Sequence, residues 1–386
     1  MKILLLNRFD IFTIAGTVRM VELSEQFVRK GHEVTLAYYP NYERRKHLPL
    51  IRTKNPDGVR VVELPSQKTA FFSNLKIIRQ LARTSDVIHF QKCFPEIALL
   101  ALWASWLEKK PVVYDWDDLE IAFVPQWTKS PVIYNLVDKY EKVLPSLVDW
   151  TACSTRYVEE MTLTRGGVKD RMHMAPVGAN LERFKPERRG ENLRAKYDLP
   201  GPVILYMGQL EEGSYAELLL QAAPAVLAGY PGCRFLVVGG GHRLPELQKL
   251  SETLGIHKQV YFTNYVLHEE IPDYVGMADI CVACFEDNEL TRCKSPLKIA
   301  EYLAAGKPIV ASDVGDVPLM VGDAGVVVPP GNSEAIAQAL IQLLAQPDRM
   351  TQMRITARKQ AEKTYNWSSL ADLFLHAYHT LTENPR

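Results

Sequence analysis

The sequence predicts an α/β protein with two doubly wound, parallel-sheet domains of the Rossmann-like type. Short apolar runs alternate with amphipathic stretches along nearly the whole chain, a pattern typical of parallel strands covered by helices on both faces. The alternation breaks once, between Pro176 and Pro202, where the chain becomes polar and rich in proline and glycine. The length of 386 residues also favours two domains over one.

The first half of the chain supplies one series of elements. Strands are predicted from apolar runs, and helices from stretches of helical period such as the one that ends at Gly31, a residue suited to a helix C-terminus. We predict strands at Lys2–Leu6, Glu33–Tyr38, Val59–Leu64, Asp86–Phe90, Pro111–Tyr114 and Trp150–Cys153, and helices at Thr17–Lys30, Pro95–Leu107 and Ser130–Leu147.

The second half repeats the pattern. We predict strands at Val203–Met207, Phe235–Val238, Val260–Phe262, Ile280–Ala283, Pro308–Ala311 and Gly325–Val328, and helices at His242–Leu254, Asn332–Ala345, Asp348–Glu362 and Trp367–Leu381. The predicted domains are an N-terminal domain over residues 1–180, a hinge over 181–201, a C-terminal domain over 202–365 and a terminal helix over 366–386. Doubly wound sheets bind ligands beyond the carboxyl ends of their strands, so we expect one cleft between the domains.

Composition excludes several classes of protein. With 47% hydrophobic and 23% charged residues, the chain is neither disordered nor collagen-like. The longest mainly apolar run, Ile97–Leu107, is shorter than the roughly 20 residues that a membrane-spanning helix needs. Six scattered cysteines suit a reducing compartment, so we expect a cytoplasmic protein. Cys281 and Cys284 lie in an apolar run without the second pair of a zinc site, and we expect both in the core.

The net charge of zero is the sum of two unequal halves. Residues 1–180 carry 25 Lys and Arg against 20 Asp and Glu, and the remainder carries 20 against 25, which does not indicate a nucleic-acid binder. Within residues 41–83, ten basic residues meet three acidic ones beside Phe71 and Phe72. This segment is a candidate surface for anionic membrane lipid or a phosphorylated acceptor, and a solvated basic face without a partner is the alternative.

The segment from Glu286 to Glu301 carries the densest functional signal. Ser295 is a good helix N-cap and Pro296 suits the first helical position, so we predict a helix from there to Gly306. Glu301 lies one to two turns into that helix. From there its carboxylate could accept both hydroxyls of a ribose, as acidic residues do in other nucleotide sites.

Three cations, Arg292, Lys294 and Lys298, are placed at the predicted start of this helix. The positive end of a helix dipole disfavours cations, so their presence there predicts a bound anion held by backbone N–H groups and lysines. A surface charge cluster without a ligand is the alternative.

Glycines mark two further candidate contacts. Gly239, Gly240 and Gly241 follow a predicted strand and allow a ligand or another backbone to approach closely. The dinucleotide fingerprint needs another glycine at position 244, which is Leu244, so nicotinamide binding is disfavoured. Gly16, in the turn after the first strand, could contact a phosphate through its backbone or could simply form a tight turn.

Carboxylates cluster after the strand Pro111–Tyr114. Asp115, Asp117 and Asp118 repel one another, which raises at least one pKa and suits general-base or hydroxyl-orienting work. They could instead ligate Mg²⁺ beside phosphates, or cap a helix and be solvated. His89, at the end of a neighbouring strand, is a candidate hydrogen-bonding partner in the cleft or a core residue.

These residues resemble the retaining nucleotide-sugar glycosyltransferases of family 4, which have the two-domain GT-B fold. The likeness covers nearly the whole chain and is most specific from Ser295 to Ser312. The motifs that carry it include Gly16, Gly31-His-Glu-Val34, Asp86-Val-Ile-His89, Val177-Gly-Ala-Asn180, Tyr206-Met-Gly208, Gly239-Gly-Gly241, Pro296-Leu-Lys298 and Glu301-Tyr-Leu-Ala-Ala-Gly-Lys-Pro308.

The resemblance implies that the C-terminal domain binds the nucleotide sugar, that the N-terminal domain binds the acceptor, and that Glu301 holds the donor ribose. It implies that the terminal helix crosses back onto the N-terminal domain. The expected donor-binding residues are Gly16, Gly208, Gln209, Gly240, Gly241, Arg292, Lys294, Ser295, Pro296, Leu297, Lys298 and Glu301.

Three departures from the family pattern stand out. The first glutamate of the Glu, seven residues, Glu motif is Cys293, and the Arg and Lys that hold the donor diphosphate fall at Gln209 and Ser214. The histidine expected after the strand Pro111–Tyr114 falls on Asp117. Because a diphosphate leaving group needs positive charge, we expect the cations around Ser295 to replace the missing pair.

The expected function is a retaining transfer of a sugar from a nucleotide sugar to a hydroxyl of a glycan, lipid-linked or small-molecule acceptor. Asp117, Asp118 and His89 are the expected catalytic residues, with no metal and no cofactor. The expected partners exclude nucleic acid, and peripheral contact with the anionic inner face of a membrane stays open. The alternative is a non-catalytic GT-B subunit that binds or stabilises another transferase; an epimerase or nicotinamide oxidoreductase is disfavoured.

Overall fold

In the computed structural model, described over residues 1–47, 49–67, 69–124, 128–211 and 213–383, the chain divides into two compact units. The first unit comprises Met1–Val177, Cys293–Ser295 and the chain from Trp367 onward. The second comprises Gly178–Arg292 and Pro296–Asn366. Each unit has a parallel sheet with helices, so the predicted fold class is confirmed.

The described strands of the first unit form a seven-stranded sheet in the order β3-β2-β1-β4-β5-β6-β7. They are β1 Lys2–Asn7, β2 Glu33–Tyr38, β3 Arg60–Glu63, β4 Val87–Gln91, β5 Val112–Trp116, β6 Trp150–Cys153 and β7 Met172–Met174. Every residue of β4, β5 and β6 is buried, as expected for strands covered on both faces. The carboxyl ends of β4 and β5 therefore lie side by side, with Gln91 paired to Asp115.

Helices cover this sheet on both faces. In chain order they are α1 Val18–Arg29, α2 Tyr42–His47, α3 Phe71–Arg83, α4 Pro95–Glu108, α5 Pro131–Leu147 and α6 Arg156–Thr164, with short 3-10 turns at Ala15–Thr17, Glu120–Ala122 and Lys169–Arg171. Ser130 caps α5 by accepting a hydrogen bond from the N–H of Ile133. Thr155 caps α6 in the same way, through the N–H of Val158.

The second unit has a six-stranded sheet among its described residues, in the order β10-β9-β8-β11-β12-β13. Its strands are β8 Val203–Met207, β9 Arg234–Val238, β10 Val260–Phe262, β11 Ile280–Ala283, β12 Ile309–Ser312 and β13 Gly325–Val328. Its helices are α7 Glu191–Lys196, α8 Ala216–Gly229, α9 Leu244–Thr253, α10 Ile271–Met277, α11 Glu289–Arg292, α12 Leu297–Ala304, α13 Val317–Val321, α14 Ser333–Leu344 and α15 Pro347–Lys363, with a 3-10 turn at Gly322–Ala324.

The last helix, α16 Trp367–Glu383, belongs to the first unit and packs on α1. The ring of Phe27 in α1 lies 6.5 Å from that of Phe374 and 5.7 Å from that of Tyr378, measured between ring centroids. Lys30 Nζ lies 2.7 Å from a carboxylate oxygen of Asp372. Burial of large aromatic side chains supplies most of the stabilisation of such a contact.

Several sequence predictions are wrong in detail. The helix predicted to start at Ser295 begins at Leu297 and has Pro296 as its N-cap, without a side-chain cap. Residues 181–201, predicted as an irregular hinge, include the helix Glu191–Lys196 and lie within the second unit. The strand β7 and the helix α3 were not predicted, because three residues give no period and the basic residues of α3 concealed its apolar positions.

Other predictions are confirmed. Cys281 and Cys284 are buried core residues, as the apolar run around them predicts. Among the described residues, no helix combines the length and the apolar character needed to cross a bilayer.

Candidate functional site

The carboxyl edge of the first sheet holds a compact cluster of charges. Lys92, directly after β4, places its Nζ 2.7 Å from carboxylate oxygens of both Asp118 and Glu120, and 3.5 Å from Asp117. The three carboxylates have ligand atoms within 4.8 Å of one another, a spacing that a metal ion could use. The cation that they share in this structure is the Lys92 ammonium, which neutralises part of their repulsion.

The backbone of Lys92 has an unusual conformation. Lys92 has a φ of 69°, in the left-handed region that residues other than glycine rarely adopt. Its N–H donates to the carbonyl of Asp115, 3.2 Å away. A strained non-glycine residue at a sheet edge is a recognised mark of functional sites, and here it points to the Lys92 cluster.

Burial and charge separate the pKa values of the two aspartates. Burial raises the pKa of Asp117, the Lys92 ammonium lowers it, and the carboxylates of Asp118 and Asp115 raise it again, so that it reaches about 6. Burial also acts to raise the pKa of Asp118, but Lys92 outweighs this effect and holds that pKa below its usual value. The pair therefore offers one group that can exchange a proton near neutral pH and one that stays ionised.

The loop that carries these carboxylates is anchored by α5. The buried carboxylate of Glu141 accepts hydrogen bonds from the backbone N–H groups of Glu120 and Ile121, at 2.8 and 3.2 Å. Burial raises the pKa of Glu120 to about 8, although Lys92 opposes the rise. Glu120 is buried, and its contact with the ammonium helps to hold Lys92 in place.

Gln91 connects the turn after β1 to this cluster. Its side-chain amide donates to Asp117 Oδ2 at 2.6 Å and to the carbonyl of Gly16 at 3.3 Å. A methyl group on Gly16 would meet only Ile14, at 3.9 Å, so the fold itself does not require glycine at this position. The structure thus brings together two predicted site residues, Gly16 and Asp117.

Asp115 lies beneath the cluster in a buried ion pair. Arg19 of α1 donates to both carboxylate oxygens of Asp115, at 2.7 and 2.9 Å, and to the carbonyls of Ala175 and Pro176. Although burial alone would raise the pKa of Asp115, the Arg19 guanidinium lowers it to about 2. Asp115 is fully buried and Arg19 nearly so, so this pair supports the site without access to a ligand.

The structure places His89 in the core. It is the central residue of β4 and fully buried, and its ring stacks on that of Phe374 at 4.8 Å between centroids. Its Nδ1 shares a hydrogen bond of 2.5 Å with the hydroxyl of Tyr378, and burial lowers its pKa. The interpretation of His89 as a group at the end of a strand is therefore wrong, because β4 continues to Gln91.

Lys294 and Ser295, which precede α12, belong to the first unit. Lys294 Nζ lies 5.8 Å from the ring centroid of Phe123, and burial lowers its pKa although the Asp118 carboxylate opposes the shift. Ser295 Oγ accepts the backbone N–H of Val177 at 3.1 Å instead of capping α12. Lys294 therefore adds a second cation near the aspartates.

Lys298 stands at the carboxyl end of β8 in the second unit. Its Nζ lies 4.2 Å from the ring centroid of Tyr206 and 5.7 Å from that of Phe285, distances at which cation–π attraction acts. A Cβ placed on Gly208 would lie only 2.9 Å from the same Nζ. Gly208 and Lys298, both predicted donor-binding residues, are therefore neighbours.

Glu301 is buried one turn beyond Lys298. Its Oε1 lies 2.9 Å from His268 Nε2, and the carbonyl of His268 accepts a hydrogen bond of 2.8 Å from Arg183. His268 was assigned no role from the sequence. Its contact with Glu301 makes it a member of the candidate site.

The three consecutive glycines have a structural explanation. Gly239 has a φ of 131°, and a Cβ there would lie 2.0 Å from the carbonyl oxygen of Gly208. A Cβ on Gly240 would meet Asn264 Oδ1 at 2.4 Å, and one on Gly241 would meet the carbonyl oxygen of Leu210 at 2.2 Å. Close approach of another backbone, one of the two alternatives that the sequence left open, is observed at Gly239 and Gly241.

The remaining predicted donor residues vary in their surroundings. Arg292 is exposed and forms a two-point ion pair with Asp287, at 2.6 and 2.8 Å. Gln209 is exposed beside Gly208. Ser214, which stands where the family pattern has a lysine, is buried. Arg292, Lys294 and Lys298 thus each have separate neighbours.

Sequence reasoning missed Lys92 and Arg19. Lys92 follows the strand β4 directly, at the same sheet edge as Asp117, so the rule that found the aspartates could have found it. Arg19 gave no such signal, because one arginine in an amphipathic helix is ordinarily solvated.

Two family models match the chain. The one described as "Glycosyl transferase 4-like domain" matches residues 15–178, and the one described as "Glycosyl transferases group 1" matches residues 201–346.

Three relatives are 28–33% identical to the chain over the regions that match. An alpha-D-kanosaminyltransferase of Streptomyces kanamyceticus is 29% identical over 50% of this chain and 49% of that protein. A D-inositol 3-phosphate glycosyltransferase of Corynebacterium urealyticum is 33% identical over 56% and 53%. A GDP-mannose-dependent alpha-(1-6)-phosphatidylinositol monomannoside mannosyltransferase of Mycobacterium tuberculosis is 28% identical over 81% and 82%. The chain spans about half the length of the first two of these relatives.

Solved structures with the same fold cover the chain almost completely. HepE of Anabaena, in complex with UDP and glucose, has a TM-score of 0.77 at 17% identity, over 99% of this chain and 100% of that one. Sucrose-phosphate synthase from Thermosynechococcus elongatus has a TM-score of 0.75 at 19% identity, over 99% of each chain. At these identities the likeness shows the fold alone.

Proposed function

Since the chain belongs to the family 4 glycosyltransferases and has their GT-B fold, we propose that it transfers a sugar from a nucleotide sugar to an acceptor hydroxyl with retention of configuration. The second unit binds the donor, and the first unit binds the acceptor. The observation that carries the proposal is the ammonium of Lys298 beside Gly208, at the carboxyl end of β8. Ligands of doubly wound sheets bind at this edge.

Lys298 supplies positive charge for the donor diphosphate. The family's usual Arg and Lys are replaced by Gln209 and Ser214, so another cation must stabilise the charge that develops on the leaving group. Lys298 is suited to this, because the packing of its ammonium against the rings of Tyr206 and Phe285 fixes its position. Glu301, hydrogen-bonded to His268, accepts the ribose hydroxyls.

The first unit contributes the group that orients the acceptor. Asp117 lies at the sheet edge with a pKa of about 6, and its carboxylate accepts the hydrogen bond of the reacting hydroxyl. Gln91 holds the carboxylate of Asp117 by a hydrogen bond, and Lys92 offsets its repulsion from Asp118. His89, which is fully buried, is a positioning residue that joins β4 to α16 through Tyr378.

Titration calorimetry with UDP, GDP and ADP tests the donor site. We expect one of the three to bind the wild-type protein, and Lys298→Met to weaken that binding about 10- to 100-fold, since a charge-assisted hydrogen bond is worth about 1.5–3 kcal/mol. Lys249→Met is the matched control, because Lys249 is an exposed lysine of α9 in the same unit. It should bind as the wild-type does.

Two results would contradict this account. Equal binding by the Lys298→Met protein would remove Lys298 from the site. Binding of none of the three nucleotides would instead favour a GT-B subunit that associates with another transferase. Gln209 and Ser214, which replace the family's diphosphate-binding Arg and Lys, would then explain the lack of nucleotide binding.

The relatives suggest which donors to test first. One relative is named for its dependence on GDP-mannose, and HepE is described with UDP and glucose. We propose GDP- and UDP-sugars as the donors, and inositol-containing or other glycolipid acceptors, by analogy with these names.

A peripheral membrane contact is a second proposal, on the face formed by α3 and α4. Phe72 is 75% exposed and Trp106 is 79% exposed, and the exposed Lys76 lies on α3 close to Phe72 in sequence. Within the predicted basic segment, Arg79 and Arg83 pair with Glu108, and Arg45 pairs with Asp10, so fewer cations are available than the sequence indicated. The exposed aromatic side chains carry this proposal, since such rings favour membrane interfaces.

Sedimentation with vesicles tests it. We expect the wild-type protein to bind phosphatidylglycerol vesicles more than phosphatidylcholine vesicles at low salt, and Phe72→Ser with Trp106→Ser to lose most of that binding. Val132→Ser, which removes an exposed apolar side chain of α5, is the control. Identical sedimentation of the double variant and the wild type would contradict the proposal.

A further inference from the structure

A cavity of about 780 Å³ opens at the amino-terminal edge of the first sheet. It lies at the starts of β5, β6 and β7, between the end of α4 and the helix α16. The candidate-site residues of the first unit lie at the opposite, carboxyl edge of the same sheet. The proposed transfer therefore gives this cavity no role.

The walls of the cavity are mainly apolar. Trp150 lines the cavity and is 6% exposed. Its ring makes an edge-to-face contact with that of Phe374, at 5.5 Å between centroids. The side walls come from α4, the end of α5 and α16. They contain six apolar residues, Leu102, Trp106, Leu147, Leu373, Ala377 and Leu381, and three polar ones, Ser105, His376 and Thr380. Cavities of roughly 300–1,000 Å³ with such walls bury most of the surface of a small ligand.

Three cations lie in the lining. Lys109, Lys110 and Arg171 form no ion pair with any residue in the described part of the chain. Asp149 and Asp170 also lie in the lining, but the carboxylate of Asp149 accepts the N–H of Val112 at 2.8 Å. The lining of the cavity therefore carries three permanently positive side chains against two carboxylates.

This combination suits a ligand with two chemically different ends. A purely apolar molecule would leave the three cations without partners, and inorganic phosphate would leave the walls exposed to water. We propose that the cavity binds a single-chain amphiphile with an anionic head group. Its tail lies along the walls formed by Trp106, Ala377 and Leu381, and its head contacts Lys109, Lys110 and Arg171.

Dodecyl phosphate, titrated below its micelle concentration into the full chain, tests the proposal. We expect saturable binding of one molecule per chain, with a change in tryptophan fluorescence because Trp106 and Trp150 line the cavity. Dodecyl maltoside, which has the same tail and a neutral head, and inorganic phosphate, which has no tail, should each bind at least tenfold more weakly.

Two variants locate the binding. Ala377→Trp fills the cavity and should abolish the binding of dodecyl phosphate. Because that change could disturb folding, the triple variant Lys109→Gln, Lys110→Gln, Arg171→Gln alters only charged ends and should weaken binding of dodecyl phosphate at least tenfold. Lys139→Gln, Lys249→Gln, Lys258→Gln, which removes three exposed lysines outside the cavity lining and outside the proposed membrane-contact face, is the matched control and should bind as the wild type does.

The proposal is overturned if dodecyl phosphate does not saturate one site, if dodecyl maltoside binds equally well, or if the triple variant keeps full affinity. If dodecyl phosphate binds as expected, phosphatidylglycerol vesicles that displace it indicate that the natural amphiphile comes from a bilayer. Vesicles that do not displace it indicate an amphiphile taken up from solution. A failure here leaves nucleotide binding by the second unit unaffected, so the two proposals are tested separately.

Discussion

Replacing Asp117 with asparagine is expected to lower kcat/KM for sugar transfer by about 10²- to 10⁴-fold, the range typical of a lost general-base contact. The amide keeps the size of the side chain and can still accept a hydrogen bond from Gln91, so the sheet edge should keep its structure. It can no longer accept the proton of an acceptor hydroxyl. Initial rates with the donor identified by calorimetry measure the effect.

The pH profile gives an independent reading of the same residue. Because the pKa of Asp117 is raised to about 6, the wild-type rate should increase as pH rises from about 5 to 7 and the carboxylate loses its proton. The Asp117→Asn protein should lack this acid limb. Asp138→Asn, which alters an aspartate paired with Lys142 on α5, is the control. Near-normal activity of Asp117→Asn, with the acid limb intact, would remove Asp117 from the mechanism.

Arg19→Met is expected to destabilise the first unit by about 3–5 kcal/mol, because it leaves the buried carboxylate of Asp115 without its cation. Methionine fills a similar volume but supplies none of the hydrogen bonds that Arg19 gives to Asp115, Ala175 and Pro176. Urea unfolding followed by fluorescence of the tryptophans of the first unit measures the change in the free energy of unfolding.

A surface ion pair provides the comparison for Arg19. Lys46→Gln breaks the exposed contact with Glu43 in the first unit, and it should cost at most about 1 kcal/mol. The double variant Arg19→Met, Asp115→Leu removes both buried charges, so it should recover part of the loss. An Arg19→Met protein as stable as the Lys46→Gln protein would show that the buried pair contributes little.

Much of the fold could be predicted from the sequence because both sheets are parallel and buried on both faces. Strands such as Glu33–Tyr38, Val203–Met207 and Ile280–Ala283 were predicted to the residue, since each is an apolar run between turn residues. The short edge strand Met172–Met174 could not be predicted, because an edge strand of three residues has neither length nor period.

The candidate site was only partly predictable from the sequence. The rule that ligands gather at the carboxyl ends of parallel strands found Asp117 and Gly16, which the structure brings together through Gln91. Side-chain partners join residues far apart in the chain, such as Lys92 with Glu120 or His89 with Tyr378, and local sequence carries no signal for them.

Arg292, Lys294 and Lys298 show the converse case, in which residues close in sequence have different neighbours in the structure. The three cations are close in sequence, but Arg292 pairs with Asp287 and Lys294 lies near Phe123 and Asp118. Lys298 alone of the three stands beside Gly208 in the second unit. Spacing along a chain that crosses from one unit to the other does not report which cations share a site.

Proton NMR of the reaction mixture tests the central claim most directly. With a nucleotide sugar and a glycolipid acceptor of the kinds named for the relatives, we expect release of the nucleoside diphosphate together with a product whose anomeric coupling constant matches that of the donor sugar. A product of inverted configuration, or no release of nucleoside diphosphate with any donor that binds, would contradict the assignment as a retaining glycosyltransferase.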